Sequence, residues 1–141
     1  MERAQHLAAR AVRQVLAGVT LANALPTVEA GEDRALVQEL TYGTLRFLGT
    51  LRAIVGALAQ RGLDPAVETL LWVALYQLLH TRAPEHAVVD CAVRATARAR
   101  RPAAKGLVNA VLRNFLRRRR AVLSAIEREP EARFSYPQWW V

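Results

Sequence analysis

Residues 106–120 read GLVNAVLRNFLRRRR, and this stretch indicates the fold class of the whole chain. At the helical period of 3.6 residues, its apolar side chains and those that follow it form one stripe. The stripe consists of Val108, Val111, Leu112, Phe115, Val122 and Ile126. Beside it, on one flank, fall Asn109, Arg113, Arg117 and Arg120. The pattern predicts an amphipathic helix that packs one side against a core and presents the other to an acidic partner.

The distribution of charge around this helix favours nucleic acid as that partner. No Asp or Glu occurs between Asp90 and Glu127, whereas half of the twenty basic residues lie in that interval. The formal net charge is +8, and guanidinium groups suit forked contacts to phosphate. A charged run on one helix is more often only a solvated surface. A GC-rich genome or a thermophilic origin would explain nineteen Arg against one Lys, but not their clustering.

Size and composition predict one domain from a reducing compartment. A chain of 141 residues with 52% hydrophobic content can bury a sizeable core. The single Cys91 has no cysteine partner, so we expect a cytoplasmic protein. The first residues carry charges where a signal peptide needs an apolar run, and no apolar run is long enough to span a bilayer. We therefore expect neither secretion nor membrane insertion.

Hydrophobic periodicity elsewhere predicts six or seven helices and no strand. The clearest helix start is Asp64, which can cap free backbone N–H groups ahead of Pro65 at the first helical position. Residues 66–79 are nearly all apolar, which predicts a central helix buried on most of its circumference. We expect its Leu71 and Leu75 to be among the most buried side chains.

Two residues depart from a regular helical pattern. Gly43 lies within ELTYGTLR, residues 39–46, and predicts a kink or close packing. On a regular helix Arg119 would point into the apolar stripe, so either its stem reaches the surface or the helix bends there. The first helix, predicted from about residue 2 to residue 19, places four basic side chains on one side: Arg3, His6, Arg10 and Arg13.

The sequence offers no arrangement of residues for catalysis. The three histidines are too scattered to predict a metal site, and no glycine-rich turn is present to hold a phosphate or a cofactor. Cys91 lies beside alanines and is interpreted as a small core residue. Tyr42, Trp72 and Tyr76 could stack on bases, but their helical spacing among leucines favours the core. We expect no enzymatic activity from this chain as given.

The last eight positions hold four of the nine aromatic residues. Exposed tryptophans at a free terminus would be a liability, so we expect that the chain was cut from a longer one. In that case Tyr136, Trp139 and Trp140 contact a neighbouring domain. The alternative is that the tail folds back on the helices.

Four segments in register carry a resemblance to a known family. They are ELTYGTLR at 39–46, LYQLL at 75–79, PEHAVVDCAV at 84–93 and KGLVNAVLR at 105–113. Together they resemble the helical domain of NusB-like proteins, and in particular the N-terminal domain of the Sun/Fmu (RsmB-type) ribosomal RNA cytosine methyltransferases. The resemblance implies an all-α bundle of two packed three-helix units. It implies an RNA-binding domain at residues 1–130, with residues 131–141 starting a linker toward a methyltransferase domain.

The resemblance also implies a function and candidate residues. This domain would position small-subunit ribosomal RNA and would hold no cofactor of its own. S-adenosylmethionine would serve the missing domain.

 In stand-alone NusB antitermination factors, RNA recognition involves an arginine-rich N-terminus and the first helix, a region that Arg3 and Arg10 match loosely. The alternative function is such a factor, acting on transcription with a ribosomal protein partner, and a third is a structural module that docks the missing domain.

From the charge pattern and the resemblance together, we expect a monomer that contacts RNA through one set of side chains. The set is Arg3, Arg10, Arg94, Arg98, Arg101, Lys105, Asn109, Arg113, Arg117, Arg118 and Arg120.

Overall fold

The computed structural model describes residues 1–25, 33–59 and 62–128, and these parts of the chain form helices and no strand. The elements are α1 (Glu2–Leu16), α2 (Leu21–Ala24), α3 (Arg34–Arg46), α4 (Leu48–Leu58), α5 (Pro65–His80), α6 (Glu85–Arg98), a 3-10 turn (Pro102–Ala104), α7 (Lys105–Arg117) and α8 (Arg119–Ile126). The predicted all-α fold is confirmed. The described residues form eight helices instead of six or seven, because α2 is a single extra turn and the last predicted helix is divided in two.

Helix α5 is the centre of the bundle, as the sequence predicts. The Asp64 side chain accepts a hydrogen bond from the backbone N–H of Ala66 at 2.8 Å, and Pro65 occupies the first turn. Eleven residues of α5 are buried. Leu71 and Leu75 are fully buried. Since α5 packs against α1, α3, α4, α6 and α7, helices from both halves of the chain share one core.

The predicted stripe of α7 and α8 is buried in full. All six of its apolar residues are at most 7% exposed. The first helix is shorter than predicted, because α1 ends at Leu16, and the backbone turns at Ala17 and Gly18. Gly18 has φ +103°, a left-handed conformation that terminates a helix and favours glycine. Val19 consequently lies outside the helix and is 38% exposed.

Gly43 serves close packing, the second of its two predicted roles. Helix α3 continues through it to Arg46, and the ring of Tyr76 on α5 lies directly against its backbone. A Cβ atom at position 43 would overlap Cζ, Cε1 and the hydroxyl oxygen of Tyr76. The missing side chain therefore lets α5 place an aromatic ring on the surface of α3.

Both of the alternatives that the sequence leaves open at Arg119 occur, because the helix bends there and the side chain also reaches the surface. Helix α7 ends at Arg117, and Arg118 leaves the helical conformation before α8 begins at Arg119. The Arg119 guanidinium lies over the Phe115 ring, with Cζ 5.4 Å from the centroid, and its Nη2 donates to Glu85 Oε2. The stem thus covers the core while the charge is paired at the surface.

Two predictions about single side chains are wrong or only partly right. Tyr42 is 52% exposed and does not belong to the core, unlike Trp72 and Tyr76. Helix α3 turns Tyr42 outward, between the buried Thr41 and Gly43. Cys91 is half-buried and not a full core residue. The boundary at residue 130 and the aromatic residues Tyr136, Trp139 and Trp140 lie outside the described residues.

Candidate nucleic-acid interface

Helices α1 and α6 bring basic side chains together from distant parts of the sequence. The electrostatics show the proximity, because Arg10 and Arg101 both act to lower the pKa of Arg13, after burial as the main cause. Burial also lowers the pKa of His6, followed by the fields of Arg13, Arg10 and Arg98. We call the set of His6, Arg10, Arg13, Arg98 and Arg101 the α1–α6 basic surface. Arg94 lies one helical turn before Arg98, on the same side of α6.

Two ion pairs and one hydrogen bond fix the orientation of side chains on the α1–α6 basic surface. Arg98 Nε lies 2.9 Å from Glu2 Oε2, and Arg101 Nε lies 2.8 Å from Asp64 Oδ2. These pairs are partly exposed, and such pairs contribute little, so a phosphate oxygen can replace either carboxylate at small cost.

The Arg13 guanidinium is bound to α5, because its Nη1 donates a hydrogen bond to Thr69 Oγ1 at 3.0 Å. Four guanidinium groups thus face two carboxylates, Glu2 and Asp64, which leaves an excess of positive charge. The like charges repel one another, and a bound anion would relieve that repulsion.

A second basic surface lies on α7 and α8. The α7–α8 basic surface consists of Arg113, Arg117, Arg118 and Arg120, all of them exposed. Arg113 Nε donates to Asn109 Oδ1 at 2.8 Å, and its Nη2 lies 3.6 Å from Asp90 Oδ1 on α6. The shared side of Asn109 and Arg113 is as predicted. Arg120 belongs to a different helix from the other three candidates on this flank.

The remaining candidates extend these two surfaces. Arg3 is half-buried near the start of α1, and Lys105 is exposed at the start of α7. Within residues 1–25, 33–59 and 62–128, no carboxylate pairs with Arg10, Arg94 or Lys105. The structure therefore distributes the candidate residues over two surfaces that share α6. Their contact with RNA stays a prediction.

The sequence interpretation missed a cleft between α3 and α5. It has a volume of about 440 Å³. Its lining is Glu39, Tyr42, Gly43, Arg46, Phe47, Tyr76 and His80. Most of the lining belongs to the ELTYGTLR segment and the residue after it. The signal available in the sequence was an aromatic residue, Tyr42, directly beside a helical glycine, Gly43.

In the described part of the chain, no helix is long and apolar enough to cross a membrane. The same residues hold no cluster of three or more His, Cys, Asp or Glu side chains able to bind a metal ion.

The model of the NusB family matches residues 2–117, which include α1 to α7. The chain belongs to the NusB family. The resemblance of its four sequence segments to NusB-like proteins is thereby confirmed, and with it the helical fold that the family implies.

Relatives of this NusB-family chain include proteins named ribosomal RNA small subunit methyltransferase B. The protein from Citrobacter koseri is 42% identical over 140 residues, which cover 94% of this chain and 32% of the relative. The protein from Klebsiella pneumoniae is 41% identical over the same length and the same shares. That from Salmonella arizonae is 41% identical over 142 residues, or 96% of this chain and 33% of the relative. The chain therefore spans about a third of the length of these relatives.

Stability should fall as the medium becomes acidic, because two histidines have pKa values below the ordinary 6.5. Burial is the main cause for both; the fields of Arg13, Arg10 and Arg98 add to it at His6, and that of Arg46 at His80. The folded protein thus binds fewer protons than the unfolded chain. The stability that the two uncharged histidines contribute is fully present above about pH 6.5. It is lost as the pH falls through their pKa values in the folded protein.

Thermal unfolding measured between about pH 7.5 and about pH 5.5 tests this expectation. The melting temperature of the parent should decrease over that range, and a His6→Gln/His80→Gln variant should show a smaller decrease. Asp64, whose pKa is lowered chiefly by its hydrogen bond from Arg101, titrates below this window. An unchanged pH dependence in the double variant would contradict the prediction.

Proposed function

We propose that this domain binds RNA and positions small-subunit ribosomal RNA for a methyltransferase domain. The observation that carries the proposal is the convergence of guanidinium groups from α1 and α6, on a chain 41–42% identical to small-subunit rRNA methyltransferases. Phosphate contacts of this kind fix position and orientation without reading sequence. The domain would thus orient the RNA, as a monomer, while another part of the protein acts on the base.

S-adenosylmethionine would belong to that other part of the protein. Cofactor binding in nucleotide-binding α/β folds uses a glycine-rich turn between a strand and a helix. The described residues contain no strand and therefore do not provide such a turn. The relatives favour this function over that of a transcription antitermination factor, since their names specify methyltransferases.

Charge reversal at the α1–α6 basic surface should weaken RNA binding more than an equal change elsewhere. Arg10 and Arg94 are exposed and form no ion pair within the described residues, so Arg10→Glu/Arg94→Glu should leave the fold intact. If both side chains contact phosphates, affinity for a single-stranded fragment of small-subunit rRNA should fall by roughly tenfold or more. The slope of log affinity against log salt should decrease in magnitude by about 1.4, at about 0.7 per lost contact.

The matched control is Arg34→Glu/Arg82→Glu. These exposed residues, on α3 and in the turn between α5 and α6, lie outside both basic surfaces, and the net charge changes by the same amount. Salt titrations by fluorescence anisotropy compare parent, test and control. Equal losses in the two variants would show that only the overall charge attracts RNA.

The same comparison with Arg113→Glu/Arg117→Glu shows whether the α7–α8 basic surface also contacts RNA. The neighbouring Asp90 reduces the net charge available around Arg113, so we expect a smaller loss than at the α1–α6 basic surface.

A further inference from the structure

The cleft between α3 and α5 contains an ordered group of aromatic rings. The rings of Phe47 and His80 are stacked, with centroids 4.0 Å apart and planes 16° from parallel. Tyr76 lies beside both, at 6.2 Å from Phe47 and 5.6 Å from His80. Burial and the field of Arg46 lower the pKa of His80, which favours the uncharged form of its imidazole. The group therefore presents flat, neutral surfaces inside an open cleft.

The floor of this cleft is fixed before any ligand binds. Tyr76 is only 8% exposed, and Gly43 admits its ring against the backbone of α3. Because α3 and α5 also pack against each other along their lengths, the ring has little room to move. A rigid aromatic floor binds a flat ligand without the entropic cost of ordering side chains.

The rim of the cleft carries charged side chains that form no ion pair with the described residues. Glu39 and Arg46 are exposed, and neither forms an ion pair with any described residue. Arg46 lies over Phe47, with Cζ 5.4 Å from the ring centroid, and its N–H groups remain available. Tyr42, between them in sequence, exposes about half of its surface. Nothing in the packing of the bundle requires an aromatic side chain at that position.

On the basis of the RNA-binding function proposed above, we propose that this cleft holds one unpaired nucleobase of the bound RNA. The base stacks on the exposed aromatic side chains, among them Tyr42, which is 52% exposed. The Glu39 carboxylate accepts hydrogen bonds from amino or imino groups on the edge of the base. Arg46 donates to a base carbonyl or to the adjoining phosphate.

The chemistry of the cleft favours a base over other ligands. One carboxylate and one guanidinium beside aromatic rings match an edge that offers both donors and acceptors. The volume of about 440 Å³ lies within the range of roughly 300–1,000 Å³ typical of small-ligand sites. The net charge of +8 brings a polyanion, and not a cationic peptide, to the surface.

Substitutions at Tyr42 test the proposal because its exposure makes them harmless to the core. With the 141-residue chain and a single-stranded rRNA fragment, Tyr42→Ala should weaken binding by roughly 5- to 150-fold, as expected for the loss of one stacked base. Tyr42→Phe keeps the ring and should restore most of the affinity. The salt dependence should be unchanged in both variants, since no phosphate contact is lost.

An oligonucleotide series identifies the contact as a base. Abasic substitutions are placed one at a time along the RNA. At one position the abasic RNA should bind the parent more weakly than intact RNA does, whereas Tyr42→Ala should bind the abasic and the intact RNA equally. If Tyr42→Ala binds like the parent while Arg10→Glu/Arg94→Glu does not, the cleft does not hold a base and the proposed function still stands. If none of these variants binds RNA differently from the parent, both proposals fail. A loss in Tyr42→Ala that is independent of every abasic position would also overturn the assignment of a base.

Discussion

Replacing Leu75 by alanine is expected to reduce the free energy of unfolding by about 2 to 5 kcal/mol. Leu75 is fully buried on α5, the helix that packs against five others. The substitution removes the transfer free energy of the lost carbon atoms and leaves a cavity that rigid neighbouring helices cannot close. Leu71, equally buried on the same helix, should behave in the same way.

Chemical denaturation followed by circular dichroism at 222 nm, the helical signal, measures this change. Leu107→Ala is the matched control, because Leu107 is a leucine on α7 that is 38% exposed. A surface substitution of this kind should change stability by no more than about 0.5 kcal/mol. If the two variants unfold at the same denaturant concentration, α5 is not the centre of the core.

The sequence predicts best those elements whose local pattern agrees with their tertiary environment. Asp64 and Pro65 form a capped start, and the apolar run after them has no polar side to place outward. An irregularity at Arg119 was also predictable, because on a regular helix its charged side chain would enter the stripe of Phe115 and Val122. The sequence left open whether the helix bends or the arginine stem reaches the surface, and both occur. In each case the evidence lies within a few residues of the feature.

Features that depend on contacts between distant helices were not predictable. Gln5 lies on the buried side of α1, where its Nε2 donates to Gln77 Oε1 at 2.8 Å and to the Val88 carbonyl at 3.2 Å. Helical periodicity alone places a glutamine outside the core, and only its partners on α5 and α6 make burial acceptable. Tyr42 was assigned to the core for the converse reason, since the periodicity could not show that none of the described helices covers it.

The candidate interface shows the same limit. The acid-free interval indicated clustered positive charge, but the fold distributes that charge over two groups of side chains, one on α1 and α6 and one on α7 and α8. It also brings Glu85 and Asp90, which precede the interval, against Arg119 and Arg113. Linear charge patterns therefore predicted a type of partner but not the geometry of the surface.

Gly43→Ala is expected to destabilise the protein by about 1 to 3 kcal/mol, the range for overpacking a rigid site. In an ordinary helix interior the change would stabilise by up to about 1 kcal/mol, because alanine is the better helix former. Here the new Cβ overlaps the ring of Tyr76, a residue of α5 whose ring is confined because α5 packs against α3. The ring must move, and the floor of the cleft moves with it.

Gly56→Ala is the control that separates these two effects. Gly56 lies in α4 with no atom within 4 Å of an added Cβ, so this variant should gain stability by roughly 0.5 to 1 kcal/mol. Opposite signs of the two changes in denaturation experiments would confirm that Tyr76 is held against Gly43. The displaced ring should also lower RNA affinity in Gly43→Ala but not in Gly56→Ala, if the cleft binds a base. Stabilisation by both substitutions would mean that the Tyr76 ring moves freely and that the floor of the cleft is not rigid before a ligand binds.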